Sequence, residues 1–135
     1  MTISTLTLAD ARTIIDAAEA KASEVGQPMN IAVVDVGGNV ISHARMDGAW
    51  LGGIDISINK AFTARAFDIE TKELGENSQP GQQYYGIVAS NRNRIMIFAG
   101  GIPITRGGEV VGALGVSGGT GEQDQSVAEA GVNAL

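Results

Sequence analysis

The sequence predicts a single α+β domain in which an antiparallel sheet packs against helices. Three observations support this fold class. Runs rich in β-branched residues occur in pairs joined by tight glycine turns, and such hairpins are antiparallel. Segments with helical spacing flank these pairs at the start, the middle and the end of the chain. The length of 135 residues is typical of one domain, so we expect residues 1–135 to form one unit with its helices mainly on one face of the sheet.

The first helix is predicted over residues 7–25, where apolar side chains recur at helical spacing. Thr7 followed by Asp10 is a variant of the capping box at its start. Gly26 is expected to end the helix in a left-handed conformation, and Pro28 prevents it from continuing.

The first hairpin is predicted from strands at 30–36 and 39–46, which meet at a Gly-Gly-Asn turn. A glycine-rich loop at 47–53 follows the hairpin. A second helix is expected over 54–67, with an apolar stripe formed by Ile54, Ile58, Ala61 and Phe62.

The second half of the chain repeats the order of helix, paired strands and helix. Its predicted elements are a helical turn at 71–76, a loop at 77–85, a strand at 94–99, a strand at 110–116 and a helix at 123–135. A Gly-Gly turn at 107–108 precedes the second of these strands.

Composition and charge argue against several classes of function. The formal charge is −6 and the nine basic residues form no run, so we expect no nucleic-acid partner. The absence of cysteine excludes disulfides and thiolate chemistry, and a single histidine excludes a site with several histidines, so no metal site is expected. No apolar run approaches the ~20 residues that span a bilayer, and the first residues do not resemble a signal peptide. We therefore expect no membrane contact and a cytoplasmic location.

The glycine-rich stretch 115–122 leads from a strand into the last helix. The first amides of a helix lack internal partners, and glycines let a ligand approach them, so this turn favours a carboxylate or a phosphate. The expected contacts are Ser117, Gly118, Gly119 and Thr120. The alternative is a tight turn capped internally by Ser117 or Thr120.

Strand alternation places His43 and Arg45 on one face of the first hairpin, next to Asp47. The imidazole of His43 and the guanidinium of Arg45 are candidates for binding an acidic substrate, and His43 is also a candidate base or axial metal ligand. In the alternative interpretation, His43 is structural and Arg45 pairs with Asp35 or Asp47.

The second helix carries Lys60 and Thr63 beside its predicted apolar stripe. Lys60 either extends along apolar surface to solvent or reaches a pocket, where it binds an anion or moves a proton. Glu122 and Asp124 compensate the dipole of the last helix or serve as catalytic carboxylates. Tyr85 lines a pocket or anchors its loop.

Several segments together resemble the GlcG/HbpS family, which includes the C-terminal domain of PduO-type proteins. The segments are AVVDVGGNVISHARMDGA, DISINKAFTA, NSQPGQQYYGI, IMIFAGGIPI and GALGVSGGTGEQDQSVAEAG, and the resemblance runs from Leu6 to the C-terminus. It implies a profilin-like α+β fold with about five strands and a homo-oligomer between a dimer and an octamer. It also implies haem binding in some members.

Carried over by position, the resemblance marks residues that overlap the set inferred above. They are Asp35, Arg45, Met46, Asp47, Lys60, Thr63, Gly100, Gly101, Gly118, Gly119, Glu122 and Asp124. The chain departs from the family pattern because its first helix has no histidine, and because Asp55 and Ile58 stand where some members have glutamates. Haem is thus a candidate cofactor by resemblance, and the sequence assigns none.

Two functions follow from this pattern. The first is a binding protein that holds haem, another tetrapyrrole or a small carboxylate between the first hairpin, the second helix and the glycine-rich turn. The second is a cofactor-independent isomerase, hydratase or lyase for a small hydroxy or keto acid, with Asp35, Lys60, Glu122 or Asp124 moving protons. The expected ligand contacts are His43, Arg45, Asp47, Thr63, Tyr85, Gly100, Gly101, Ser117, Gly118, Gly119 and Thr120.

Overall fold

The computed structural model describes residues 3–135. Its elements are α1 (Leu8–Val25), β1 (Asn30–Asp35), β2 (Val40–Arg45), α2 (Gly53–Phe67), α3 (Thr71–Glu76), β3 (Gly101–Arg106), β4 (Glu109–Ser117) and α4 (Gly121–Val132). Two short 3₁₀ turns, Ile87–Ala89 and Asn91–Asn93, lie between α3 and β3. None of these helices is both long and apolar enough to cross a membrane.

The boundaries of α1 confirm the predicted caps. The Thr7 hydroxyl accepts a hydrogen bond from the amide of Asp10, and the Asp10 carboxylate accepts one from the amide of Thr7. Gly26 ends the helix at φ 76°, in the left-handed region where a residue without Cβ is unstrained. Local sequence therefore determines both ends of this helix.

The sheet has the strand order β2-β1-β4-β3, and every neighbouring pair is antiparallel. The antiparallel α+β prediction is confirmed. The expected number of about five strands is wrong, because the sheet within residues 3–135 has four.

The helices lie on both faces of the sheet, so the prediction of helices mainly on one face is also wrong. α1 and α4 cover the face that carries the larger apolar side chains, including Ile31, Val33 and Leu114. α2 covers the opposite face, where Ala32 and Ala113 are buried. The single sheet is thus a central layer between helices.

The buried side of α2 differs from the predicted apolar stripe. Ile54, Ile58 and Phe62 are only partly buried. Small and polar residues face the sheet instead, namely Gly53, Ser57, Asn59, Lys60, Ala61, Thr63 and Ala64. A Cβ on Gly115 of β4 would overlap the backbone of α2 at Ser57 and Ala61. At Gly115, α2 therefore lies directly against the backbone of β4, and no space remains for a side chain between the helix and the strand.

The predicted strand at 94–99 is wrong, and the strand that pairs with β4 is Gly101–Arg106. Residues 95–97 have no regular secondary structure and pair with no strand. The hydroxyl of Thr63 instead accepts a hydrogen bond from the amide of Met96 at 3.0 Å. β3 contains Pro103, which lies opposite Ala113. Proline lacks an amide donor, and β3 tolerates it because this strand is at the edge of the sheet.

We expect Gly115→Ala to destabilise the fold by about 1–3 kcal/mol, because the added methyl group separates α2 from β4. Urea unfolding measures the change. Gly52→Ala is the matched control, since a Cβ at Gly52 would have no atom within 4 Å. Equal stabilities of the two variants would contradict the close contact described here.

Candidate functional site

A cleft of about 480 Å³ opens at the end of the sheet where β1 begins and β4 ends. Three segments surround it: the loop that enters α2, the irregular segment before β3, and the turn from β4 into α4. Its lining residues are Trp50, Gly52, Gly53, Ile56, Lys60, Phe98, Ala99, Ser117, Gly118, Gly119, Gly121 and Asp124. The volume is in the range of small-molecule sites.

A buried ion pair between α2 and α4 lies at the floor of the cleft. Lys60 Nζ is 3.0 Å from Asp124 Oδ2, and the two side chains are 2% and 7% exposed. Lys60 Nζ also donates to the carbonyl oxygen of Val116 at 2.9 Å. The ammonium group of Lys60 is thus held by the Asp124 carboxylate and by the backbone at the end of β4.

The amides of the glycine-rich turn are largely used by the chain itself. The amide of Gly119 donates to Asp124 Oδ1 at 2.8 Å, and that of Thr120 donates to Gln123 Oε1 at 3.0 Å. The Thr120 hydroxyl in turn accepts from the amide of Gln123. The predicted anion seat on these amides is therefore wrong at residues 119 and 120, and the internally capped alternative is confirmed for Thr120. The cleft beside the turn remains open.

Burial changes the proton affinities of the pair in opposite directions. It lowers the pKa of Lys60 and raises the pKa of Asp124, because the interior disfavours the charged form of each group. The attraction between the two groups opposes both shifts. The net effect brings the two pKa values closer together than in water, which makes proton transfer from the ammonium to the carboxylate less costly.

Lys60 has one proton without an acceptor. An ammonium carries three N–H groups, and within residues 3–135 Nζ donates only to Val116 and Asp124. Since Lys60 lines the cleft, a ligand oxygen at the floor is positioned to accept the third hydrogen bond.

The walls of the cleft are apolar and include two exposed aromatic side chains. Trp50 is 66% exposed and Phe98 is 58% exposed. Sequence reasoning missed both, as well as Ile56. A detectable signal was present in Trp50, which is the only tryptophan and lies within the glycine cluster before α2. Phe98 was missed because residues 94–99 were predicted to form a strand of the sheet, which is not where a cleft-lining loop is sought.

The structure brings five of the predicted site residues together: Lys60, Ser117, Gly118, Gly119 and Asp124. Lys60 lies on α2, and the other four lie at the end of β4, on the turn that follows it or in the first turn of α4. Lys60 was predicted to reach a pocket, and Asp124 was predicted separately as a carboxylate beside the glycine-rich turn. The structure places the two side chains in direct contact.

Asp35 lies at the opposite end of β1 from the cleft. Its Oδ1 accepts hydrogen bonds from the amides of Gly37 and Asn39, at 2.9 Å and 3.0 Å. The carboxylate thus stabilises the hairpin turn, and the structure does not place it near Lys60.

The first hairpin contributes no side chain to the lining of the cleft. His43 and Arg45 do share one face of β2, as predicted, and His43 Nε2 is 3.2 Å from the hydroxyl of Ser57. Burial, and secondly the charge of Arg45, lowers the pKa of His43. Arg45 and Asp47 are exposed.

The remaining candidates lie outside the lining as well. Thr63 connects α2 to the segment before β3, and Tyr85 is 68% exposed beside a separate depression. Glu122 is exposed on the outer side of α4. Gly100 and Gly101 are buried packing positions; a Cβ on Gly100 would lie 3.2 Å from Lys60 Nζ. Gly100 therefore acts on the site indirectly, by leaving room for the ion pair.

Comparison with known proteins finds matches along nearly the whole chain. A family model described as haem degrading protein HbpS-like matches residues 6–133. An uncharacterised 15.0 kDa protein from the dhaT-dhaS intergenic region of Citrobacter freundii is 48% identical over 127 residues, which cover 94% of this chain and 89% of that protein.

Solved structures give the same result. Klebsiella pneumoniae protein ORFY is 42% identical with a TM-score of 0.96, over 99% of this chain and 92% of that chain. The structure of a PduOC:heme complex is 32% identical with a TM-score of 0.93, over 97% of this chain and 95% of that chain. The resemblance inferred from the sequence motifs is confirmed.

We expect Lys60→Met and Asp124→Asn each to destabilise the protein by about 3–5 kcal/mol, because each leaves a buried charge unpaired. The double variant Lys60→Met/Asp124→Asn should lose much less than the sum of the two, since it buries no unpaired charge. Urea unfolding of the four proteins measures the coupling. Additive losses would show that the contact contributes nothing specific.

The loss of folding stability caused by Lys60→Met should depend on pH. Removing the ammonium removes the attraction that lowers the pKa of Asp124, so burial raises that pKa further. A carboxyl group with a raised native pKa stabilises the fold at low pH, and this contribution is lost as the pH rises through that pKa.

In thermal unfolding at about pH 5 and about pH 8, Lys60→Met should therefore lose more stability relative to the unmodified protein at the higher pH. Lys72→Met, which removes an exposed lysine, is the control and should show no such trend. A loss from Lys60→Met that is independent of pH would contradict the assignment.

Proposed function

The chain belongs to the HbpS-like family, and we propose that it binds a small organic molecule in the cleft above Lys60 and Asp124. The observation that carries this proposal is the combination of apolar walls with a buried polar pair at the floor. A largely apolar pocket with a few convergent polar groups is the usual form of a small-molecule site. Trp50 and Phe98 supply aromatic surface that a ligand would cover.

The chemistry of the floor favours a ligand with an oxygen acceptor. The third proton of Lys60 is available for such an atom, while Asp124 already balances the charge of the ammonium. A carbonyl oxygen meets this requirement without adding a buried charge. A small aldehyde, ketone or keto acid therefore suits the cleft, with any carboxylate of the ligand directed towards solvent.

Haem does not fit this cleft as an iron-ligated group. A relative forms a haem complex, but the residues that line the cleft of this chain include no histidine, methionine, cysteine or tyrosine to serve as an axial ligand. The single histidine, His43, lies outside the lining, and its Nε2 contacts Ser57. We therefore base no step of the proposed function on haem.

An enzyme acting on a hydroxy or keto acid is the second candidate, and the ion pair is the specific observation that favours it. Displaced pKa values in a cleft are typical of groups that exchange protons with a substrate. Lys60 and Asp124 would move protons at a carbon next to the carbonyl group. NMR spectra of candidate acids in D₂O detect this activity as exchange of the α-proton.

We expect ligand binding to quench the fluorescence of Trp50, the one tryptophan of the chain, which lines the cleft. The probes are pyruvate, lactate, glycolaldehyde and hemin. Gly121→Leu should abolish the response to the small probes, because Gly121 lines the cleft beside Ala99 and a leucine at this position would narrow it. A Cβ at Gly121 lies 3.8 Å from that of Ala99, so the variant should fold normally.

Glu129→Leu is the matched control, since it adds the same side chain to an exposed position of α4 outside the cleft. It should respond like the unmodified protein. The proposed function would be wrong if none of the probes changed the fluorescence, or if the response persisted in Gly121→Leu. A hemin response that is equal in both variants would place haem outside the cleft.

A further inference from the structure

We propose that Lys60 forms a covalent imine with a small aldehyde or ketone bound in the cleft. This inference deepens the proposed function and rests on it, because the carbonyl compound must first occupy the cleft. It assigns Lys60 the role of nucleophile and Asp124 the role of proton carrier. The substrate class is thereby narrowed from molecules with an oxygen acceptor to molecules with a reactive carbonyl carbon.

The geometry positions one amine at the floor of a cavity of suitable size. Lys60 is 2% exposed and lines the cleft, so a molecule reaches Nζ only through that cleft. The adjacent lining residues Gly118, Gly119 and Gly121 have no side chains that would cover the amine. A hydrogen bond from Nζ to the ligand oxygen brings the carbonyl carbon next to the nitrogen that would attack it.

A nucleophilic lysine must lose a proton, and the structure supplies the acceptor. Asp124 Oδ2 is 3.0 Å from Nζ. Burial lowers the pKa of Lys60 and raises the pKa of Asp124, which favours transfer of the proton between them. The amide of Gly119 holds the other carboxylate oxygen, so the acceptor stays in place.

The reaction is balanced without a further reagent. The neutral amine attacks the carbonyl carbon and the C=O π bond breaks. The oxygen takes up one of the two protons on the attacking nitrogen, which gives a neutral carbinolamine. Asp124, protonated by Lys60, returns its proton to the departing hydroxyl group, which leaves as water as the C=N bond forms. The products are one imine and one water molecule for each carbonyl compound consumed.

The chain contains its own reference lysines. It has three lysines, and Lys21 and Lys72 are not among the residues that line the cleft. Lys21 is partly exposed and 3.3 Å from Glu24, and Lys72 is exposed on α3. Solvated lysines are almost fully protonated near neutral pH, so they react slowly with carbonyl compounds. The ratio of modification at Lys60 to that at Lys72 therefore measures activation of the buried amine.

The test is reductive trapping of the full-length protein at neutral pH with sodium cyanoborohydride, using pyruvate and glycolaldehyde separately as probes. Intact-mass spectrometry counts the adducts and peptide mapping locates them. We expect an adduct at Lys60 and only background labelling at Lys21 and Lys72. Peptide mapping distinguishes it from labelling of the α-amino group, whose ordinary pKa of about 8 also leaves it reactive at neutral pH. Lys60→Met should lose this adduct and keep the background.

Gly121→Leu provides a second test that leaves the Lys60–Asp124 pair in place. It should lose labelling at Lys60 because the cleft is blocked, whereas Glu129→Leu should be labelled like the unmodified protein. Labelling of Lys60 no greater than that of Lys72 would overturn the inference, as would labelling that persists in Gly121→Leu.

The fluorescence of Trp50 in the same samples distinguishes a failure of imine formation from a failure of ligand binding, on which the proposed function rests. Quenching by pyruvate or glycolaldehyde without an adduct at Lys60 would overturn imine formation and leave ligand binding intact. Neither quenching nor an adduct with these probes would overturn both.

Discussion

The contact between Lys60 and Asp124 is the constraint on which the arrangement of the cleft depends. α2 and α4 pack on opposite faces of the sheet, and the two side chains meet where β4 ends. Neither charge has another ionic partner within residues 3–135, so separating the helices would leave two buried charges uncompensated. The pair therefore fixes the position of the glycine-rich turn relative to the start of α2, and the cleft is the space left between them.

Close approach of backbone makes this contact possible. Gly115 allows α2 to lie directly on β4, and Gly100 leaves room for the ammonium group. A larger sheet residue beneath α2 would displace the helix and withdraw Lys60 from Asp124. Gly115 and Gly100 thus have a structural role in the site although neither lines the cleft. The contact between Lys60 and Asp124 depends on this close packing.

Local signals in the sequence predicted the parts of the fold that local chemistry determines. The caps of α1 were found because Thr7, Asp10 and Gly26 act on their own neighbours, and the first hairpin was found from its tight turn at residues 37–39. The strand at 94–99 was wrong because an apolar segment held by Thr63 has the same composition as a strand. The buried face of α2 could not be predicted, since it depends on which strand lies beneath it. For the same reason Lys60 and Asp124 were recognised separately and their pairing was not.

The floor and the walls of the cleft contribute to stability to different degrees. Lys60 and Asp124 are buried and paired, so replacing either one alone leaves an unpaired charge in the interior. Trp50 and Phe98 are exposed and contribute little to the core, so we expect their replacement to cost little stability. Substitutions at these two positions therefore offer a way to reshape the walls of the cleft while the buried pair stays in place.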